Sequence, residues 1–400
     1  MKYGNTKEIV LLLETSRQHG RSILQGVIQW SHRYGPIRLR AGAGHLLQEL
    51  PRLGNWKNIG LISRLTVPGI VEAIDKYHIK TIVLEPNTDD QELIQKRLKI
   101  PSIRINPETT GQMAADYLYD HGFQKFAFCG FSCRSWSDRR EEAFVRAIEK
   151  RHMPVTSYNK PKTELPWSRE KKILRDWLKS LPQPIGIFAC DDDRARQLLE
   201  ICEEEGLSVP AQYSILGAAD DELLCELTSV PLSSIAFDLE RAGYRAMSLL
   251  SDMIDGKVKN GDDIIVEPLW VVPRLSTDYA AQPDRIVRAA LRYIRSNYLR
   301  PISVPDLLEN LDVSRRSLEV RLMKATGRTI MENIIHRRVE RARQLLITTD
   351  DSIERIGVLA GFVSYRSMLS AFSSILGCTP KAVREMDENN QTKNDKPFNS

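Results

Sequence analysis

The sequence predicts an α/β domain of two parallel-sheet lobes followed by a separate all-α domain. Three observations lead there. First, six short apolar runs read as buried parallel strands: "EIVLLL" (8–13), "NIGLIS" (58–63), "TIVLE" (81–85), "KFAFCG" (125–130), "IGIFAC" (185–190) and "YSILGA" (213–218). Amphipathic helical patterns at 21–33, 67–77, 109–121, 139–150, 168–180 and 194–206 separate them. Second, strand signals stop after residue 284. Short helices with short turns follow at 285–298, 303–310, 314–326, 330–347, 352–359, 364–376 and 380–386. Third, the charge is uneven. Residues 284–386 carry 18 Lys+Arg against 11 Asp+Glu, whereas residues 1–283 carry 37 against 38. A basic all-α segment behind a neutral α/β domain points to a polyanion partner for that segment alone.

These signals set the boundaries. Residues 1–272 form the α/β domain, the Pro-containing stretch 273–284 a linker, 285–386 the helical domain, and the polar 387–400 a disordered tail. No apolar run approaches the roughly 18 residues of a membrane span, and the N-terminus lacks a signal-peptide pattern, so a cytoplasmic protein without membrane contact is expected. The six cysteines form no C-x-x-C pair and read as buried free thiols in a reducing compartment, with no metal site. No cofactor motif is present: G-x-G-x-x-G, G-x4-G-K-(S/T), G-x-S-x-G and H-E-x-x-H are all missing.

The helical domain carries one pattern twice. In "SVPDLLENLDVSRRSLEVRLMKATG" (303–327), Ser314 can cap a helix whose Leu318 and Leu322 face inward, leaving Arg315, Arg316 and Glu319 near its exposed N-terminal half. In "SIERIGVLAGFVSYRSMLSAFSSILG" (352–377), Ile353, Ile356 and Leu359 are expected inside. Ser364 caps the next helix and Tyr365, Arg366 and Ser367 occupy its exposed first turn. A long helix carrying Arg337, Arg338, Arg341 and Arg343 joins the two. Each unit is a helix-turn-helix with arginines where a base-reading helix needs them. A protein-binding bundle with a solvated arginine face is the competing reading. The run "GFVSYRSMLSAFSSILGCTPKAVR" (361–384) resembles the signature of the AraC-type transcription regulators. That resemblance implies double-stranded DNA as a partner and two recognition helices in successive major grooves. It names Ser314, Arg315, Arg316, Glu319, Ser364, Tyr365, Arg366 and Ser367 as the DNA-binding candidates. Leu369, Ser373 and Val383 stand where the family usually has Phe, Lys and Tyr, so the first unit is expected to dominate readout.

In the α/β domain, "ACDDDRARQLLEICEEEGLSVPAQYSILGAADDELLCELTSVPLSSIAFD" (189–238) resembles the effector domain of LacI-type repressors and periplasmic sugar-binding proteins. The resemblance implies a cleft between two lobes that holds a small sugar-like effector, with xylose among the candidates. Asp192 falls on a sugar-gripping aspartate and Asp191 on its neighbour. Asp193 reads as a charge favoured in the first helical turn. Arg21, Trp136 and Arg140 supply donors and an aromatic face, and Asp220 is the nearest replacement for a carboxylate expected at Ala219. Phe237 replaces a common Gln. The combination implies a carbohydrate-gene regulator that acts as a homodimer and meets RNA polymerase. A DNA-binding protein whose N-terminal domain only dimerises is the second reading, and an α/β enzyme the third.

Overall fold

The computed structural model describes residues 7–41, 58–65, 69–86, 99–259, 261–277, 284–300, 302, 304–326, 328–348 and 351–384. The tail expected to be disordered, 387–400, lies outside them, as do linker residues 278–283. The chain divides into two compact units, one built mainly from residues 1–277 and one mainly from 278–400.

The first unit holds two six-stranded sheets. The strands are β1 (Lys7–Leu12), β2 (Ile37–Ala41), β3 (Ile59–Ser63), β4 (Lys80–Leu84), β5 (Ser102–Ile105), β6 (Phe126–Cys129), β7 (Val155–Ser157), β8 (Ile185–Ala189), β9 (Tyr213–Ala218), β10 (Ser233–Phe237), β11 (Ile264–Val266) and β12 (Pro268–Val272). One sheet has the order β11-β5-β4-β3-β1-β2 and the other β12-β10-β9-β8-β6-β7. Every pairing is parallel except β10 with β12. The chain changes sheet after β5, after β10 and after β11. The central strands are uninterrupted apolar runs because both faces are covered: all residues of β3, β8 and β9 are buried.

The helices between them are α1 (Gln18–Tyr34), α2 (Ile70–Tyr77), α3 (Pro107–Asp120), α4 (Ser135–Glu149), α5 (Trp167–Ser180), α6 (Asp192–Glu204), α7 (Glu222–Leu227) and α8 (Leu239–Ile254). Helices α1 and α8 cover one face of the first sheet through Ile23, Val27, Ala246 and Leu250, which are fully buried. Two glycines set their spacing. A Cβ on Gly26 would lie 1.8 Å from the Glu240 carbonyl oxygen, and one on Gly243 would lie 2.1 Å from that of Ile23. Helices α5 and α6 pack on the second sheet through Leu174, Leu178, Leu198 and Leu199.

Two expectations need correction here. Residues 275–277, assigned to the linker, form a 3-10 turn with Ser276 and Thr277 fully buried. The Ser276 hydroxyl accepts from the Ser233 amide at 2.8 Å and donates to the Ile215 carbonyl at 2.6 Å, so this stretch is sewn onto the second sheet. All six cysteines are free, but Cys133, in a turn at φ 56°, is exposed and Cys378 is half-buried, where both were expected to be buried.

The second unit contains α9 (Arg285–Asn297), α10 (Val304–Leu311), α11 (Arg315–Thr326), α12 (Ile330–Thr348), α13 (Ile353–Leu359) and α14 (Tyr365–Leu376). It has two small cores. Leu291, Ile294, Leu307, Leu318 and Leu322 fill one, and Leu346, Ile356, Phe362, Met368 and Phe372 the other. Helix α12 serves both, with Ile330 and Ile334 in the first and Val339, Ala342 and Leu345 in the second. Leu359, expected inside, is 43% exposed; Phe362 and Met368 supply the core instead. Arg338, expected on the arginine-bearing face of the joining helix, is buried and caps the chain after α9. Its Nε donates to the Tyr298 carbonyl at 2.8 Å and its Nη2 to the Arg300 carbonyl at 2.9 Å. Gly361 sits beside it at φ 84°, where a Cβ would come within 2.6 Å of the Tyr298 oxygen.

Candidate functional site

The first unit contains a cavity of about 420 Å³. Its lining comes from the turns and helix starts that follow strand carboxyl ends in both sheets: Glu14, Arg17 and His19 after β1, Arg64 after β3, Glu85 after β4, Phe131, Trp136 and Arg140 after β6, Asp191, Asp192, Asp193 and Gln197 after β8, and Ala219, Asp221 and Leu224 after β9. This is where parallel sheets open a crevice, because neighbouring connections leave to opposite faces. Trp136, Phe131 and Trp167 add half-buried aromatic surface. Such a mixture of aromatic faces and fixed polar groups suits a small polar ligand.

Asp191 and Asp192 are held differently. Asp191 is the N-cap of α6, and its Oδ1 accepts from the Arg194 amide at 2.8 Å. Burial, and then the Asp193 charge, raises its carboxyl to about 6. Asp192 is 2% exposed. Its Oδ1 accepts from the Ser234 hydroxyl at 2.5 Å, and its Oδ2 from the Asp221 amide at 2.8 Å and more weakly from the Cys225 thiol at 3.8 Å. Burial pushes it up to about 7 in spite of these donors. Asp193 forms an ion pair with Arg17, which joins the two lobes across the cavity.

Arg140 is 4% exposed. Its Nη1 donates to the Cys190 carbonyl at 2.5 Å. Its guanidinium lies 5.1 Å from the Trp136 ring centre and 5.7 Å from that of Phe237. His19 lines the same region. Burial, then the charges of Arg64 and Arg140, lower its imidazole to about 3, so it is neutral.

Of the residues expected from sequence, Trp136, Arg140, Asp191 and Asp192 come together around the cavity. Arg21 and Asp220 stand outside its lining. Arg21 is turned back on its own loop, donating to the Ser16 carbonyl at 2.8 Å, and also reaches Asp221 of the other lobe at 3.3 Å. Asp220 pairs with Arg274 at 2.8 Å. The cause is local: Ala219 at φ 147° and Asp220 at φ 50° swing the chain at the end of β9, so Asp221 rather than Asp220 reaches the cavity. Its carboxylate accepts the Gln18 amide at 2.8 Å, a second link between the lobes. Arg17, His19, Arg64, Glu85 and Trp167 were not singled out. They share no motif, but Arg64 and Glu85 directly follow β3 and β4, a position that a strand assignment marks, and Arg17 and His19 lie close to Arg21 in the stretch after β1. Among the described residues no His, Cys, Asp and Glu group is arranged to hold a metal ion, and no helix is long and apolar enough to cross a membrane.

In the second unit, Arg315 and Arg316 begin α11 and are exposed, as are Tyr365 and Arg366 at the start of α14. Ser364 and Ser367 form a reciprocal capping box: the Ser367 amide donates to Ser364 Oγ at 3.1 Å and the Ser364 amide to Ser367 Oγ at 3.2 Å. Ser314 plays the same part more simply, accepting from the Ser317 amide at 3.3 Å. Glu319 differs from its expected role. Its Oε2 accepts from the Ile330 amide at 3.1 Å, so it braces the start of α12. Each unit therefore presents a serine-capped helix start with exposed cationic or aromatic side chains, a geometry suited to phosphate and base-edge contacts.

Residues 115–277 match the periplasmic binding protein-like domain family, and residues 307–386 match a helix-turn-helix domain family. The chain is 30% identical over 381 residues to the xylose operon regulatory protein of Haemophilus influenzae, covering 94% of this chain and 98% of that protein. It is 28% identical over 386 residues to the xylose operon regulatory protein of Escherichia coli, covering 95% of this chain and 97% of that one. A solved structure of a xylose-binding transcription activator resembles it with a TM-score of 0.58 at 27% identity, covering 96% of this chain and 99% of the other.

Proposed function

This chain belongs to the family of the xylose operon regulatory proteins, and from that premise we propose that it regulates genes of carbohydrate metabolism in response to a small sugar-like effector. It is a DNA-binding, sugar-responsive transcription regulator and not an enzyme. The relatives are named for xylose, which puts the effector in the class of small sugars and their derivatives. The observation that carries the reading is the cavity itself: polar groups from both sheets converge on it, and the same chain carries two capped helices with exposed arginines.

Trp136 packs on the apolar face of the sugar, Arg140 donates to its oxygens, and Asp191 accepts from its hydroxyls. Asp192 supports this wall, and Asp221 with Arg17 ties the lobes together. Arg315 and Arg316, with Tyr365 and Arg366, read DNA. The serines cap their helices, and Arg21, Asp220 and Glu319 act as braces. Effector binding favours one lobe arrangement and so biases how two DNA-binding domains of a homodimer are presented to DNA and RNA polymerase in the cytoplasm. A domain that only dimerises has no need of buried charged groups around a cavity. The test is footprinting on the gene's own upstream DNA with and without pentoses. Protection that changes with sugar is expected; no protection at any salt concentration overturns the reading.

A further inference from the structure

We propose that the effector is a sugar acid whose carboxylate docks between Arg64 and Arg140, an inference that rests on the sensor reading above. The charged groups of the cavity fall into two sets. Most carboxylates are already occupied by the protein. Glu164 meets Arg134 at 2.7 Å, Glu170 meets Arg194 at 2.8 Å, and Asp193 meets Arg17. Glu85 accepts the Ile105 amide at 2.5 Å, while Asp192 and Asp221 take the donors described above.

Two guanidiniums are left over. Arg64 is half-buried in the cavity wall and makes no side-chain hydrogen bond or ion pair among the described residues. Arg140 is almost fully buried and gives one N–H to the Cys190 carbonyl, and no other acceptor takes its remaining N–H groups among the described residues. These groups are not sealed in the protein interior; they border the cavity. The neutral His19 imidazole feels the charge of both and lines the same cavity. The Trp136 and Phe237 rings exclude water from Arg140, which strengthens any charge pair formed there. Asp191 is near Arg140, but neither guanidinium makes an ion pair within 4 Å among the described residues, and a ligand carboxylate fills that place through short, charge-assisted hydrogen bonds.

The rest of the ligand follows from Asp191. It is half-buried on the cavity wall, close enough to Arg140 to feel its charge, and suited to accept hydroxyl protons. One hydroxyl acceptor beside two guanidiniums describes a polyhydroxy monoanion. A phosphate dianion would bring a second charge toward Asp191, so a carboxylate is the better match.

The test uses the full-length protein and matched pairs by calorimetry: D-xylose with D-xylonate, D-glucose with D-glucuronate and D-galactose with D-galacturonate, with D-glucose 6-phosphate as the phosphate arm. At least one acid is expected to bind about tenfold or more tightly than its neutral partner. Arg140→Gln should bring that ratio toward one. Arg64→Gln, at the less buried position, gives the same readout where the Arg140 variant does not fold. A neutral sugar that equals or exceeds its acid overturns the sugar-acid assignment and leaves the sensor reading standing. Binding of the phosphate alone overturns it in favour of a sugar phosphate. A protein that binds DNA but none of these compounds overturns both.

Discussion

The Ser234 hydroxyl donates a 2.5 Å hydrogen bond to the carboxylate of Asp192 and so ties the start of α6 to β10. The Asp221 amide and the Cys225 thiol converge on the same carboxylate, which clasps the ends of β8, β9 and β10 around the cavity wall. Asp192→Ala strands these buried donors and should cost about 2–4 kcal/mol in urea unfolding. Asp191→Ala removes a helix cap and should cost only about 1 kcal/mol. It should nevertheless weaken sugar binding. A larger stability loss from Asp191 than from Asp192 would contradict this division of labour.

Asp192 and His19 should tilt the pH dependence of stability in opposite directions. The Asp192 carboxyl, at about 7, holds its proton in the folded state where the unfolded chain releases it near pH 4. Its contribution therefore falls as pH rises from about 4 to about 7. His19, at about 3, refuses a proton that the unfolded chain takes up below about 6.5, so its contribution falls as pH drops through that range. The deficit of Asp192→Asn relative to the natural protein should shrink from pH 5 to pH 8. For His19→Gln, stability relative to the natural protein should improve as pH falls. Urea midpoints at four pH values check both signs.

Gly26→Ala should be severely destabilising, by about 3 kcal/mol or more, because the added methyl meets backbone of α8 and not a movable side chain. Gly35→Ala faces open space, and its cost comes only from φ 119°. Thermal unfolding of the two variants separates helix-contact cost from backbone cost.

Arg315→Ala should lower affinity for the natural DNA site by about tenfold to a hundredfold if it reads a base, with relaxed sequence preference. Arg366→Ala should cost less, because the second unit lacks a lysine at Ser373. A residue that contacts only phosphate should instead reduce the salt slope by about one. Ser367→Ala should cost about 1 kcal/mol through the lost capping box, without changing which sequence is preferred.

The central strands were legible in the sequence because β1, β3, β4, β6, β8 and β9 are covered on both faces and read as unbroken apolar runs. The other six were not. β2, β7, β11 and β12 are sheet edges of three to five residues, with exposure that breaks the pattern. β5 and β10 carry buried polar residues, Ser102, Ser233 and Ser234, that serve hydrogen bonds rather than apolar packing. In the cavity, Asp191, Asp192, Trp136 and Arg140 were legible through the resemblance to LacI-type and periplasmic sugar-binding effector domains. Arg17, His19 and Arg64 were not, because sheet topology, rather than any local motif, brings them to residues far away in the chain. The exchange of Asp220 for Asp221 turns on two positive φ angles that no residue type announces.

The most direct test of the central claim is fluorescence anisotropy of the full-length protein on labelled DNA from its own upstream region, with and without sugars and sugar acids. Salt-sensitive binding whose affinity changes at least severalfold with one such compound, and loses that response in Asp191→Ala, is the predicted result. DNA binding unaffected by every compound, or no binding to this DNA at all, would contradict the account.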